Sequence, residues 1–197
     1  MASEHQSHDT SMPPMVPSME ATKEQLQRAK EQGDVYGNAL AAMQEETGQL
    51  AVERAGDYEI GATVEEAEGL YQLENNEFRW ISPEGENAHL EIVVRDAADG
   101  RFIPGLDVRA TLFTSDGKEV GTHQMPFLWH PMLYHYGLDW KIPAEGDYRV
   151  HVRVEPPTFM RHDYKNGKRY GKPEEVDLTL HITPGQKFVK GKEDQVR

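Results

Sequence analysis

Histidine, methionine and aromatic side chains crowd into residues 121–140, GTHQMPFLWHPMLYHYGLDW, which carry His123, Met125, His130, Met132 and His135. A shorter cluster, PPTFMRHD at 156–163, adds Met160, His162 and Asp163. Imidazole and thioether both ligate copper well, thioether chiefly as Cu(I). A carboxylate such as Glu91 would widen the choice to iron, manganese or zinc. Each ligating imidazole needs a partner for its second ring nitrogen, and Asp163 or a backbone carbonyl would serve. The plainer reading makes Met125, Met132 and Trp129 core residues and leaves the histidines bonded to carbonyls. Both readings stay open on residue chemistry alone. The spacing reproduces no zinc finger, HExxH helix or EF-hand.

Two loops can converge on such a site only if a scaffold holds them. Residues 121–140 contain Pro126 and Pro131, which resist ladder pairing, and are too apolar to lie exposed. They are expected to fold over a domain as a loop or a pair of bent strands. Around them the chain alternates. In LDVRATLF (106–113) Leu106, Val108, Ala110 and Leu112 share one face. In YRVHVRV (148–154) Tyr148, Val150, Val152 and Val154 do the same, and VDLTLHI (176–182) repeats the pattern. HLEIVV (89–94) is a short β-branched run, and EVGTH (119–123) returns from a Ser-Asp-Gly turn. YQL (71–73) and FRW (78–80) flank Glu-Asn-Asn-Glu as a hairpin. No helical pattern separates these strands. The expected fold is mainly β: an immunoglobulin-like antiparallel sandwich over 49–184.

A helical extension precedes it at 21–48. Mixed charges and strong helix formers fill TKEQLQRAKEQGDVYGNALAAMQEE, with Thr22 or Ser18 as cap. Gly33 and Gly37 allow a bend or a break. Its apolar stripe is thin, so the helix is expected to dock on another element or on a second subunit. Residues 1–20 read as a disordered tail that holds His5, His8, Met12, Met15 and Met19, and 185–197 as a polar tail.

Composition excludes several classes. The chain has 197 residues, 34 acidic and 21 basic, for a net charge of -13. That charge opposes a nonspecific grip on nucleic acid, which needs a positive surface. With no cysteine, disulfides and thiolate chemistry are absent. No run reaches the ~20 apolar residues of a membrane span, and the start lacks the n- and h-regions of a signal peptide. Neither GxSxG nor GxxxxGK[ST] occurs, and no nucleophile pairs with a base, so the chain is read as no enzyme.

His89-Leu-Glu91, Phe102-Ile-Pro104, Met125-Pro126, His135-Tyr-Gly137, Gly146-Asp-Tyr148, Glu155-Pro-Pro157 and Arg161-His162 follow one another in the order of a known family. Over about 58–182 the chain resembles the P19/Tp34-type periplasmic iron-transport proteins. The resemblance implies an immunoglobulin-like homodimer that binds copper, or manganese, zinc or iron, beside a membrane iron or copper permease. It implies a periplasmic or extracellular place, although the absent signal leaves the cytoplasm open. It marks His135 and His162 as ligands and Glu91 as a ligand or iron-site carboxylate. The family methionine falls where this chain has Phe127, so Met125, Met132 or His130 would take that position. The leading expectation is a non-enzymatic copper- or iron-binding accessory or carrier. The alternative is an immunoglobulin-like module whose aromatic residues 127–140 grip a protein or carbohydrate.

Overall fold

The computed structural model describes residues 14–187. His5, His8 and Met12 of the expected tail, and the end of the polar tail from 188, lie outside the described residues. The elements run α1 Lys23–Thr47, β1 Ala51–Ala55, β2 Tyr58–Glu65, β3 Leu70–Glu74, β4 Glu77–Ile81, β5 Ala88–Asp96, β6 Val108–Thr114, β7 Glu119–Gln124, β8 Phe127–Leu128, β9 His135–Trp140, β10 Gly146–Val154 and β11 Glu174–Ile182.

Two antiparallel sheets stack face to face. One has the order β1-β2-β5-β9-β8 and the other β11-β10-β6-β7. Alternation decides which side chains meet between them. Ile60, Leu90, Ile92, Val94 and Tyr136 from the first sheet pack on Val108, Leu112, Val150, Val152, Leu178 and Leu180 from the second. This is the immunoglobulin-like sandwich that the strand pattern predicts. β3 and β4 form a separate hairpin, closed by Asn75 and Asn76, both at positive φ. That backbone is the type I′ geometry that Asn tolerates.

β5 is buried on both faces. Its even-numbered residues enter the sandwich, so its odd-numbered residues need a second cover. The helix provides it. α1 is one continuous helix, opened by a capping box between Thr22 and Gln25 and closed by left-handed Gly48. Leu40 and Met43 pack with Val93 of β5 and with Leu133 as a small second core. Gly33 is where the helix comes closest: a β-carbon there would lie 1.8 Å from the carbonyl oxygen of Asp99. Tyr36 donates to the carbonyl of Tyr134 at 2.5 Å. At the other end Thr63 of β2 donates to the carbonyl of Gln49 at 2.7 Å and lies 3.0 Å from Thr47 Oγ1. The helix is thereby fixed along its length against the outer face of the first sheet.

Candidate metal centre

The residues 121–140 supply the end of β7, the short β8 and β9, with loops between them, and β9 is the strand that positions chemistry. β9 carries His135, Gly137 and Asp139 on one face and Tyr136, Leu138 and Trp140 on the other. Tyr136 anchors the strand: its hydroxyl accepts from Leu106 N–H at 3.0 Å and donates to the Ile103 carbonyl at 2.8 Å. The antiparallel register sets His89 of β5 opposite Asp139 and Glu91 opposite Gly137. On the far side of β5, Glu65 of β2 faces His89 and Thr63 faces Glu91. Rows of polar residues thus cross the outer face of the sheet, beneath the helix.

Three of these side chains converge. One ligand atom each from His89, Glu91 and His135 lies within 4.8 Å of the others, and all three residues are buried. Glu91 Oε1 is 3.4 Å from His135 Nε2. Two donors ~2.1 Å from one tetrahedral ion would stand about 3.4 Å apart, so this pair already has coordination spacing. His89 Nδ1 is 2.7 Å from Asp139 Oδ1. The carboxylate takes that nitrogen as the N–H tautomer and turns Nε2 toward the cluster as a lone pair. Nε2 of His89 and Nε2 of His135 make no hydrogen bond among the described residues. Gly137 leaves the gap between the rings: a β-carbon there would sit 2.6 Å from His89 Nε2 and 3.1 Å from His135 Cδ2.

The protonation of the two imidazoles differs. Burial, helped by the nearby His89 and His130, pushes the His135 pKa down to about 3, so the ring is neutral and ready to ligate at pH 7. Burial also opposes a charge on His89, yet the bond to Asp139 and the charge of Glu91 outweigh it and raise its pKa. A cation arriving at His89 would therefore compete with a proton for the ring.

A cavity of about 260 Å³ opens onto the cluster, lined by Glu91, His135, His130, Met132, Leu133, Met43, Glu46 and Glu65. Of the residues singled out in the sequence, His135 and Glu91 meet, and His130 and Met132 line the approach. Met125 does not join them: it is buried in the sandwich core, which the other sheet face serves. His162 does not join them either. Its side chain is 94% exposed and stands 4.0 Å from Glu20. The turn after β10 is drawn away because Asp163 accepts from Ser18 at 2.6 Å and Asn166 bonds Val16. Asp163 therefore serves that turn, and Asp139 fills the role of imidazole partner. Sequence reasoning takes Glu91 from His-Leu-Glu and passes over His89. The signal is in the chain, since residues two apart on a strand share a face.

Residues 81–181 match the family described as Fe2+ transport protein. No curated protein sequence matches the chain. Solved structures do. FetP of uropathogenic E. coli strain F11 is 20% identical with a TM-score of 0.56, over 69% of this chain and 97% of FetP. Copper-reconstituted P19 of Campylobacter jejuni is 18% identical with a TM-score of 0.57, over 71% of this chain and all (100%) of P19. A copper-bound variant of the same P19 is 17% identical at a TM-score of 0.57, over 71% and 100%. At these identities the likeness establishes the fold. Among the described residues no helix is long and apolar enough to cross a membrane.

Proposed function

The chain belongs to the Fe2+ transport protein family, and from that premise we propose that it is a non-enzymatic carrier or accessory protein that binds copper or iron at His89, Glu91 and His135 during iron uptake. One observation carries the reading. Two buried imidazole nitrogens and a carboxylate face one another within 4.8 Å, with Asp139 behind His89 and a gap left by Gly137. Such a donor set suits copper and iron, with zinc or manganese as alternative guests. Binding and release need no covalent chemistry. The copper-bound P19 structures share the sandwich and support copper as one cargo. On this reading the protein works in the periplasm or an equivalent extracytoplasmic space, as a homodimer, and hands metal to a membrane permease.

Titrating Cu(II) and, without oxygen, Fe(II) into metal-free protein tests the proposal. One ion per chain is expected to bind, and His89→Ala or His135→Ala is expected to weaken that binding at least a hundredfold with the β-rich circular dichroism unchanged. Folded wild-type protein that binds neither ion would overturn it.

A further inference from the structure

The helix α1 lies outside residues 81–181, yet it forms a wall of the metal cavity. Met43 is 2% exposed, and its side chain lines the same 260 Å³ space as Glu91, His130, Met132 and His135. Its place there is fixed. Gly33 touches the Asp99 carbonyl one way along the helix, Tyr36 bonds Tyr134, and Thr47 meets Thr63 the other way. The loop before β9 adds a second thioether to the lining, Met132, which is partly exposed. Glu46 and Glu65 complete the lining. One space therefore presents His135, Glu65 and Glu91 from the sheet, His130 from the loop before β9 and a buried thioether from the helix.

We propose that Met43 is a metal ligand supplied by α1, and that it makes the cavity a site for Cu(I) as well as for harder divalent ions. The inference rests on the metal-binding reading above and deepens it. Thioether sulfur is a soft donor. It adds much to a cuprous ion and little to zinc or ferrous ion, for which the imidazoles and Glu91 suffice. A leucine at 43 would fill nearly the same volume against Leu40, Val93 and Leu133, so that core would survive the loss of sulfur. The helix thus does more than cover β5: it sets which oxidation state of copper the sandwich retains. Met132, which is partly exposed, is the comparison residue, since it shares the chemistry but not the burial.

The test uses the full chain and two metals. Cu(I) affinity is measured anaerobically by competition with a chromophoric Cu(I) chelator, and Zn(II) affinity by competition with a zinc dye. Wild type, Met43→Leu and Met132→Leu are compared, with copper X-ray absorption of each Cu(I) form. The expected result is a loss of Cu(I) affinity of about tenfold or more in Met43→Leu, with Zn(II) affinity within threefold of wild type and sulfur scattering reduced. Sulfur scattering and Cu(I) affinity that persist in Met43→Leu would overturn the proposal. Equal losses for both metals would also overturn it, because they mark Met43 as packing only. Wild-type protein that binds neither metal fails the underlying reading instead, and is told apart by that control.

Discussion

Replacing Gly137 with alanine tests whether the gap between the two histidines is the seat of the ion. The β-carbon would stand 2.6 Å from His89 Nε2, 2.9 Å from Leu128 Cδ1 and 3.1 Å from His135 Cδ2. An imidazole-bound ion lies ~2.0–2.1 Å from the nitrogen, so the methyl and the ion claim the same volume. Disturbing a residue behind a ligand already costs about 10- to 100-fold in affinity, and filling the site itself should exceed the upper figure. The stability cost is smaller. Overpacking costs about 1–3 kcal/mol, offset by the ~0.5–1 kcal/mol that alanine gains over glycine in a strand. A net loss of about 1–2 kcal/mol lowers the melting temperature by roughly 2–8 °C at this chain length.

The assay pairs Cu(II) titration at pH 7.5 with thermal unfolding followed by circular dichroism. Gly137→Ala is expected to stay folded and to bind at least a hundredfold more weakly. In a His89→Ala background the same methyl loses its closest contact and keeps only those to Leu128 and His135, so its stability cost should shrink, and the difference between the two costs measures the contact with His89. Wild-type copper affinity in Gly137→Ala would refute the placement of the ion between His89 and His135, whatever the melting temperature did.

The remaining expectations follow from the charges and tethers around this gap. Copper affinity should fall between pH 7.5 and pH 5.0, because the raised pKa of His89 lets protons compete for its ring across that range; equal affinity at the two pH values would count against imidazole ligation. Metal-free protein should lose stability in acid through His135: its folded pKa of about 3 lies below the unfolded ~6.5, so below that value the unfolded chain binds the extra proton. The contribution is full above pH ~6.5 and declines by about 1.4 kcal/mol per pH unit as pH falls toward 3, and urea melts of His135→Asn should show a shallower slope. Asp139→Asn should keep the fold and lower copper affinity about 10- to 100-fold, read by the same titration. Gly33→Ala should lower the melting temperature, since its β-carbon would strike the Asp99 carbonyl at 1.8 Å. Gly37→Ala meets only the flexible end of Arg95 and should raise stability by about 0.5–1 kcal/mol.

Alternation made the sandwich legible. Leu106–Leu112, Tyr148–Val154 and Val176–Ile182 each place their apolar residues on one face, and β6, β10 and β11 form where those runs stand. Asn75-Asn76 announced its hairpin because few other residues accept that backbone. The site was legible in half. His135 and Glu91 were legible as candidates by type, but nothing local reveals that β5 and β9 are neighbours, and only that pairing brings His89 to Asp139 and Glu91 to Gly137. The positions of Met125 and His162, both away from the cluster, are hidden by the same blindness. Residue type makes both candidate ligands, whereas Met125, in the link between β7 and β8, bonds the Val108 carbonyl and packs in the sandwich core, and the bonds of Asp163 and Asn166 hold the His162 turn beside Val16 and Ser18.

The run HLEIVV looks like a strand buried on both faces, and such strands usually lie in parallel sheets under helices. Here the sheet is antiparallel, and the second cover has to come from elsewhere in the chain. That requirement explains the thin apolar stripe of α1. It need not build a core, because its Leu40 and Met43 only have to meet Val93 and Leu133. The polar residues two and four positions back along the same face of β5 are Glu91 and His89, so covering Val93 also roofs the site. Burial of that roof is what neutralises His135 and makes the Asp139–His89 pair matter. Moving α1 would rehydrate the cluster and weaken its hold on an ion, which ties the docking of the helix to retention of the metal.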